Sequence, residues 1–111
     1  MKMISLKDLP INVTSHRVGK KINIIKNGEI PNLTQFSQVV FAPGEIVEEH
    51  VHEDLYEIYL VEEGEGKLKL NGEDYKIKKG MTFVVEPGEA HEVKNTGSST
   101  LVLTYFCILK E

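Results

Sequence analysis

From Gln35 onward, apolar and polar positions alternate in short runs separated by turn-forming pairs. A period of two puts successive side chains on opposite faces of a pleated strand, so this pattern predicts half-buried strands. The expected strands are Gln35–Phe41, Ile46–His52, Leu55–Glu62, Glu65–Leu70, Glu73–Lys78, Thr82–Glu86, His91–Lys94 and Ser99–Leu109. Between them stand Pro43-Gly44, Glu53-Asp54, Gly64, Asn71-Gly72, Lys79-Gly80, Pro87-Gly88 and Thr96-Gly97. Asn71-Gly72 gives the clearest hairpin, because both central residues of a type I′ turn need positive φ. So many short strands in one small chain imply an antiparallel sandwich or barrel. Residues 1–34 are less patterned: a helical turn capped by Ser5 and ended before Pro10, a strand at Ile22–Ile25, and turns at Asn27-Gly28 and Pro31-Asn32.

Two strands depart from alternation. Leu55–Val61 and Leu101–Leu109 are apolar on both faces, and a two-sided apolar strand is covered on both sides. The barrel interior covers one face, and a second copy of the chain is the simplest cover for the other. A homodimer is therefore expected.

Composition supports the all-β reading. Ile, Val and Thr together number 27 against two alanines, Ala42 and Ala90. At 111 residues there is room for one domain. A net charge of −4 argues against a nucleic-acid surface, which would cluster basic charge. No apolar run reaches the roughly 18 residues of a membrane helix, so no membrane span is expected. Cys107 is the single cysteine, which excludes an intrachain disulfide and makes a reducing cytoplasm the expected compartment.

The chemistry is concentrated in three of the four histidines. His50 and His52 lie two apart in a strand-like segment, so both rings share a face, with Cα atoms roughly 6.6 Å apart. Two imidazoles at that spacing converge on one ion with bonds of about 2.1 Å. A turn at Glu53-Asp54 brings Glu57 alongside, and His91 heads a later strand. Such an N/O set suits one divalent transition ion: Fe, Mn, Ni, Co, Cu or Zn. The competing reading of a His-x-His pair is a solvated polar face. Against it stands Glu57, a lone carboxylate in an apolar strand, which is costly without a partner.

These residues resemble the cupin family. Its first motif, G-x5-H-x-H-x(3,4)-E-x6-G, is matched by Gly44, His50, His52, Glu57 and Gly64. Its second, G-x5-P-x-G-x2-H-x3-N, is matched by Gly80, Gly88, His91 and Asn95, with the proline displaced from position 86 to Pro87. The resemblance implies a double-stranded β-helix, a jelly-roll barrel, over residues 35–111. Residues 1–34 then form an N-terminal arm that packs on a partner subunit. It also implies a metal ion held by His50, His52, Glu57 and His91.

An ion with three His and one carboxylate in six coordination keeps two adjacent positions for a small-molecule substrate. The expected activity is a dioxygenase of the quercetinase-like kind acting on an enediol or β-diketone-like small molecule. The alternatives are a metal-dependent isomerase, epimerase or decarboxylase, or a non-catalytic module that binds a sugar or other small ligand. Glu48 and Tyr59 are the candidate catalytic residues, since a regular strand puts each on the ligand face. For Glu48 a bulge toward solvent is the favoured reading, and for Tyr59 core packing. Cys107 reads as a buried small hydrophobe and His16 with Arg17 as surface. The acidic surroundings Glu45, Glu49, Glu53 and Asp54 favour metal uptake and disfavour polyanions.

Overall fold

The structure, a computed structural model, describes residues 1–13 and 19–111. Among them are ten strands: β1 Asn12–Val13, β2 Lys20–Ile25, β3 Leu33–Phe41, β4 Ile46–His50, β5 Leu55–Glu63, β6 Glu65–Leu70, β7 Glu73–Lys78, β8 Thr82–Val85, β9 His91–Lys94 and β10 Leu101–Leu109. They form a six-stranded sheet in the order β1-β2-β3-β10-β5-β8 and a four-stranded sheet in the order β4-β9-β6-β7. From β3 to β10 the chain changes sheet at every connection except the β6–β7 hairpin. This winding is the double-stranded β-helix that the sequence predicts.

Cross-strand register lines up the inner face of the larger sheet in rows. Lys21 lies opposite Val39, Val39 opposite Leu103, and Leu103 opposite Val61. The next inward row is Asn23, Ser37, Tyr105, Tyr59 and Phe83, and the one after it is Gln35, Cys107, Glu57 and Val85. Directly paired residues point to the same side, so each row is one layer of the interior. Leu68, Ile77, Val47 and Val93 of the smaller sheet close the core against them.

Local sequence explains where the elements stop. Asn71 and Gly72 have φ of 49° and 85°, and the hairpin they join pairs Leu70 with Glu73 in the expected register. Gly64, at φ 83°, turns β5 into β6 so tightly that a Cβ there would lie 2.3 Å from the Thr100 carbonyl oxygen. The last strand begins at Leu101, two residues later than expected. Asn95 is the cause: its Nδ2 donates to the carbonyls of Phe41 (3.0 Å) and Ser99 (2.9 Å), and its Oδ1 accepts from Gly97 N (2.9 Å). Those bonds hold the chain in a loop through Ser99.

Three further differences concern the first half. The helical turn is a 3-10 turn over Leu6–Asp8, and the Ser5 hydroxyl makes no capping bond to it. Within residues 1–34, β1 and β2 extend the larger sheet along the edge of β3, and β2 begins at Lys20, two residues before the expected strand. The expected strand Ile46–His52 ends at His50. His16 and Arg17 lie outside the described residues.

Candidate metal centre

The centre starts from an irregularity in β4. Val47 pairs with Val93 and His50 with His91, so three steps along β4 meet two along β9. The extra residue is a β-bulge, and it keeps Val47 and His50 on the inner side of the strand. Glu48 and Glu49 take up the bulge and are exposed. Glu48 is thus exposed and absent from the cavity lining, in keeping with the bulge reading.

His52 lies beyond the end of β4, and its carbonyl accepts from Gly88 N at 2.8 Å. That bond ties the segment after β4 to the Pro87-Gly88 turn that leads into His91. The three imidazoles converge: ring centroids are 4.1 Å apart for His50 and His91, 5.0 Å for His50 and His52, and 5.7 Å for His52 and His91. Glu57 reaches the same point from β5, across the barrel. The centre therefore bridges the two sheets.

The surrounding bonds set which atom each residue offers. Nδ1 of His50 meets the Glu48 carbonyl and Nδ1 of His91 the Glu89 carbonyl, each at 3.0 Å. A carbonyl only accepts, so Nδ1 carries the proton and a neutral ring presents its lone pair at Nε2. Glu57 is divided in the same way. Its Oε2 accepts from the Tyr59 hydroxyl at 3.0 Å and from the Cys107 thiol at 3.6 Å. Its Oε1 lies 2.8 Å from His91 Nε2 and 3.5 Å from His52 Nε2.

Those last contacts do not satisfy the atoms involved. Glu57 Oε1 and His91 Nε2 are buried, and neither has a hydrogen-bond partner. Buried polar atoms are rarely left so, and each one costs free energy. The four ligand atoms lie within 4.8 Å of one another. Ligands about 2.1 Å from an ion stand roughly 3.0 Å apart when adjacent and about 4.2 Å when opposite, so the set closes on an ion with small side-chain shifts. Three imidazoles and one carboxylate fit a divalent transition ion in donor chemistry as well.

Charge is arranged to match. Burial pushes the Glu57 carboxyl up, but His91, His52 and the Tyr59 hydroxyl outweigh it and hold the group below its usual value. Burial pulls His91 down, yet contact with Glu57 and the Glu89 carbonyl leaves it raised. Burial and the Glu57 charge drive the Tyr59 phenol well up, and burial pushes the Cys107 thiol up to about 12. Both therefore stay protonated and donate to Glu57 at neutral pH. Tyr59, a candidate catalytic residue, is in this arrangement a donor that orients a ligand.

A cavity of about 110 Å³ opens beside the centre. On the larger sheet runs an aromatic stack, Tyr105 on Tyr59 at 4.9 Å and Tyr59 on Phe83 at 4.7 Å, planes 17° and 13° apart. Tyr59 and Tyr105 line the cavity, as do two residues from outside the motifs, Lys21 of β2 and Gln35 of β3. Neither carries a local sequence signal, because only the register of β2, β3 and β10 brings them in. Cys107 escaped for the same reason: it stands opposite Glu57 across the β5–β10 pair.

Comparison with known proteins agrees with this geometry. A family model described as "Cupin domain" matches residues 37–108. The "Oxalate-binding protein" of Thermotoga maritima is 38% identical over 74 residues, a match covering 67% of this chain and 61% of that relative. A protein of Aquifex aeolicus is 33% identical over 87 residues, 78% of this chain and 69% of the relative. Among solved structures, a T. maritima protein described as a predicted oxalate decarboxylase superposes with a TM-score of 0.91. It is 26% identical, and the superposition covers 98% of this chain and 100% of that one.

Proposed function

This chain belongs to the cupin domain family, and from that premise we propose that it is a metal-dependent protein acting on a small organic anion. One divalent transition ion, of the set Fe, Mn, Ni, Co, Cu or Zn, is held by His50, His52, Glu57 and His91. The reading rests on one observation above others: Glu57 Oε1 and His91 Nε2 are buried, face each other at 2.8 Å, and neither makes a hydrogen bond. An ion supplies the partner that both atoms want.

When bound, such an ion is a Lewis acid with positions open to a chelating ligand. The chain's own residues do the rest. His50 and His91 are locked as Nε2 donors by backbone carbonyls, and Tyr59 and Cys107 hold Glu57 with Oε1 forward. The small cavity admits a compact molecule, well below the roughly 300 Å³ of a drug-sized site. Similarity to an oxalate-binding protein supports a small carboxylate as that molecule, and decarboxylation as the first reaction to assay. The dioxygenase reading from the sequence is second, because an enediol chelates through the same two positions. Both activities sit with a cytoplasmic protein whose one cysteine is buried and reduced.

We also infer that a second copy of the chain covers the outer face of the larger sheet, where Leu60, Val84 and Ile108 are 40%, 49% and 38% exposed.

The test is elemental analysis of untagged protein, followed by assays of the loaded form. About one equivalent of metal per chain is expected, with His52→Ala losing most of it while keeping its circular dichroism. Unchanged metal content in His52→Ala overturns the ligand assignment. Formate and CO2 released from oxalate select decarboxylation, oxygen uptake with an enediol selects the dioxygenase, and binding without turnover selects a non-catalytic module.

A further inference from the structure

Within the cavity wall, Lys21 is the one ammonium or guanidinium among the described residues. It comes from β2, and its register opposite Val39 turns it to the inner face with Val39 and Leu103, away from its exposed neighbour Lys20. Its Nζ lies 5.8 Å from the centroid of the Tyr105 ring, the end of the aromatic stack that leads through Tyr59 to Glu57. Burial pulls its pKa down, and the nearby Cys107 and Glu57 oppose that pull. A half-buried lysine facing inward is uncommon, because an ammonium is costly to desolvate without an anion.

Among the described groups, the anions facing it are few. Glu57 is committed to the metal centre, and Cys107 and the tyrosines are neutral at physiological pH. Gln35 Oε1 already accepts from the hydroxyls of Tyr105 and Ser37, each at 3.1 Å. The carboxylates that make the mouth acidic, Glu49, Glu53 and Asp54, are exposed and do not line the cavity. A divalent ion with one carboxylate ligand leaves one positive charge at the centre, and Lys21 adds a second. The interior then lacks two negative charges.

We propose that Lys21 determines the specificity of the cavity by pairing its ammonium with the distal oxygens of a small dianion whose proximal oxygens chelate the ion. This rests on the functional reading above and names the residue that separates dianions from monoanions. A neutral or singly charged ligand fills the same space and leaves the ammonium unpaired.

The experiment is isothermal titration of metal-loaded protein with oxalate and malonate as dianions and glycolate as the monoanion, comparing wild type with Lys21→Met and Lys21→Arg. Met keeps the stem and removes the charge. Losing a charge-assisted hydrogen bond predicts roughly 10- to 100-fold weaker dianion binding in Lys21→Met, with glycolate binding changed less than about threefold. Lys21→Arg is expected to recover most of the loss. Metal content and melting temperature, measured in parallel, are expected to match wild type. If Lys21→Met binds oxalate as well as wild type does, or loses oxalate and glycolate equally, the role of Lys21 is overturned and the functional reading stands. If the loaded wild type binds no carboxylate at all, the functional reading falls and takes this role with it.

Discussion

At the scale of single residues, the proposed centre depends on groups other than its four candidate ligands. Tyr59 and Cys107 occupy Glu57 Oε2, and that occupation aims Oε1 at the three imidazoles. Hydrogen-bond partners of metal ligands commonly contribute 10- to 100-fold in metal affinity. Tyr59→Phe removes one donor and keeps the stacked ring. It is expected to weaken metal binding by roughly tenfold in a competition titration with a chromophoric chelator, with the fold intact. Equal affinity in wild type and variant would remove Tyr59 from the support of the centre. The four candidate ligands were legible in the sequence because each sits at fixed spacing from a turn glycine, within one stretch of chain. Tyr59 was legible as well, two residues from Glu57 on one strand face, but the donor role of Cys107 and the place of Lys21 were not. Their place depends on which strand lies beside which, and no local pattern encodes that Cys107 stands opposite Glu57 or Lys21 opposite Val39.

At the scale of elements, turns decide the outcome. Strands β6, β7 and β9 occupy the residues that the sequence predicts, since Asn71-Gly72 and Pro87-Gly88 mark their ends sharply. Strand β4 does not, because a bulge leaves no mark on a pattern of period two, and its polar residues Glu48 and Glu49 fit either register. The same bulge removes Glu48 from the cavity and admits His50. Gly64 is the turn with least tolerance, having a positive φ and the Thr100 carbonyl directly against it. Gly64→Ala is expected to cost about 1–3 kcal/mol from backbone strain alone, read as a lower urea midpoint. A midpoint equal to wild type would show that the β5–β6 turn and the 96–100 loop move apart freely.

At the scale of the whole molecule, the larger sheet has a filled inner face and an outer face still rich in apolar side chains. Phe36 and Phe106 meet edge-to-face there, 6.4 Å apart, beside the exposed Leu60, Val84 and Ile108. An exposed apolar face of this kind is what a partner copy would cover. Light scattering after gel filtration is expected to give twice the 12.5 kDa chain mass. The double variant Leu60→Glu/Val84→Glu is expected to give the single mass. A wild type that runs at the single mass at micromolar concentration would leave that face without a partner copy.

The winding that carries the chain from sheet to sheet also fixes when the centre can exist. Its ligands come from β4, β5, β9 and the segment after β4, while the strand that completes the pairing of β3 and β5 is the last in the chain. The four side chains lie within residues 50–91, yet the sheet that positions Glu57 is closed only by β10, and chains dominated by such distant pairings fold in milliseconds to seconds, not microseconds. The proposed ion would accordingly meet its ligands at the end of folding. An ion that binds the finished barrel in preference to the unfolded chain would shift the balance toward the native state by mass action. In the cell, metal supply would then govern how long each chain survives proteolysis as well as whether it works.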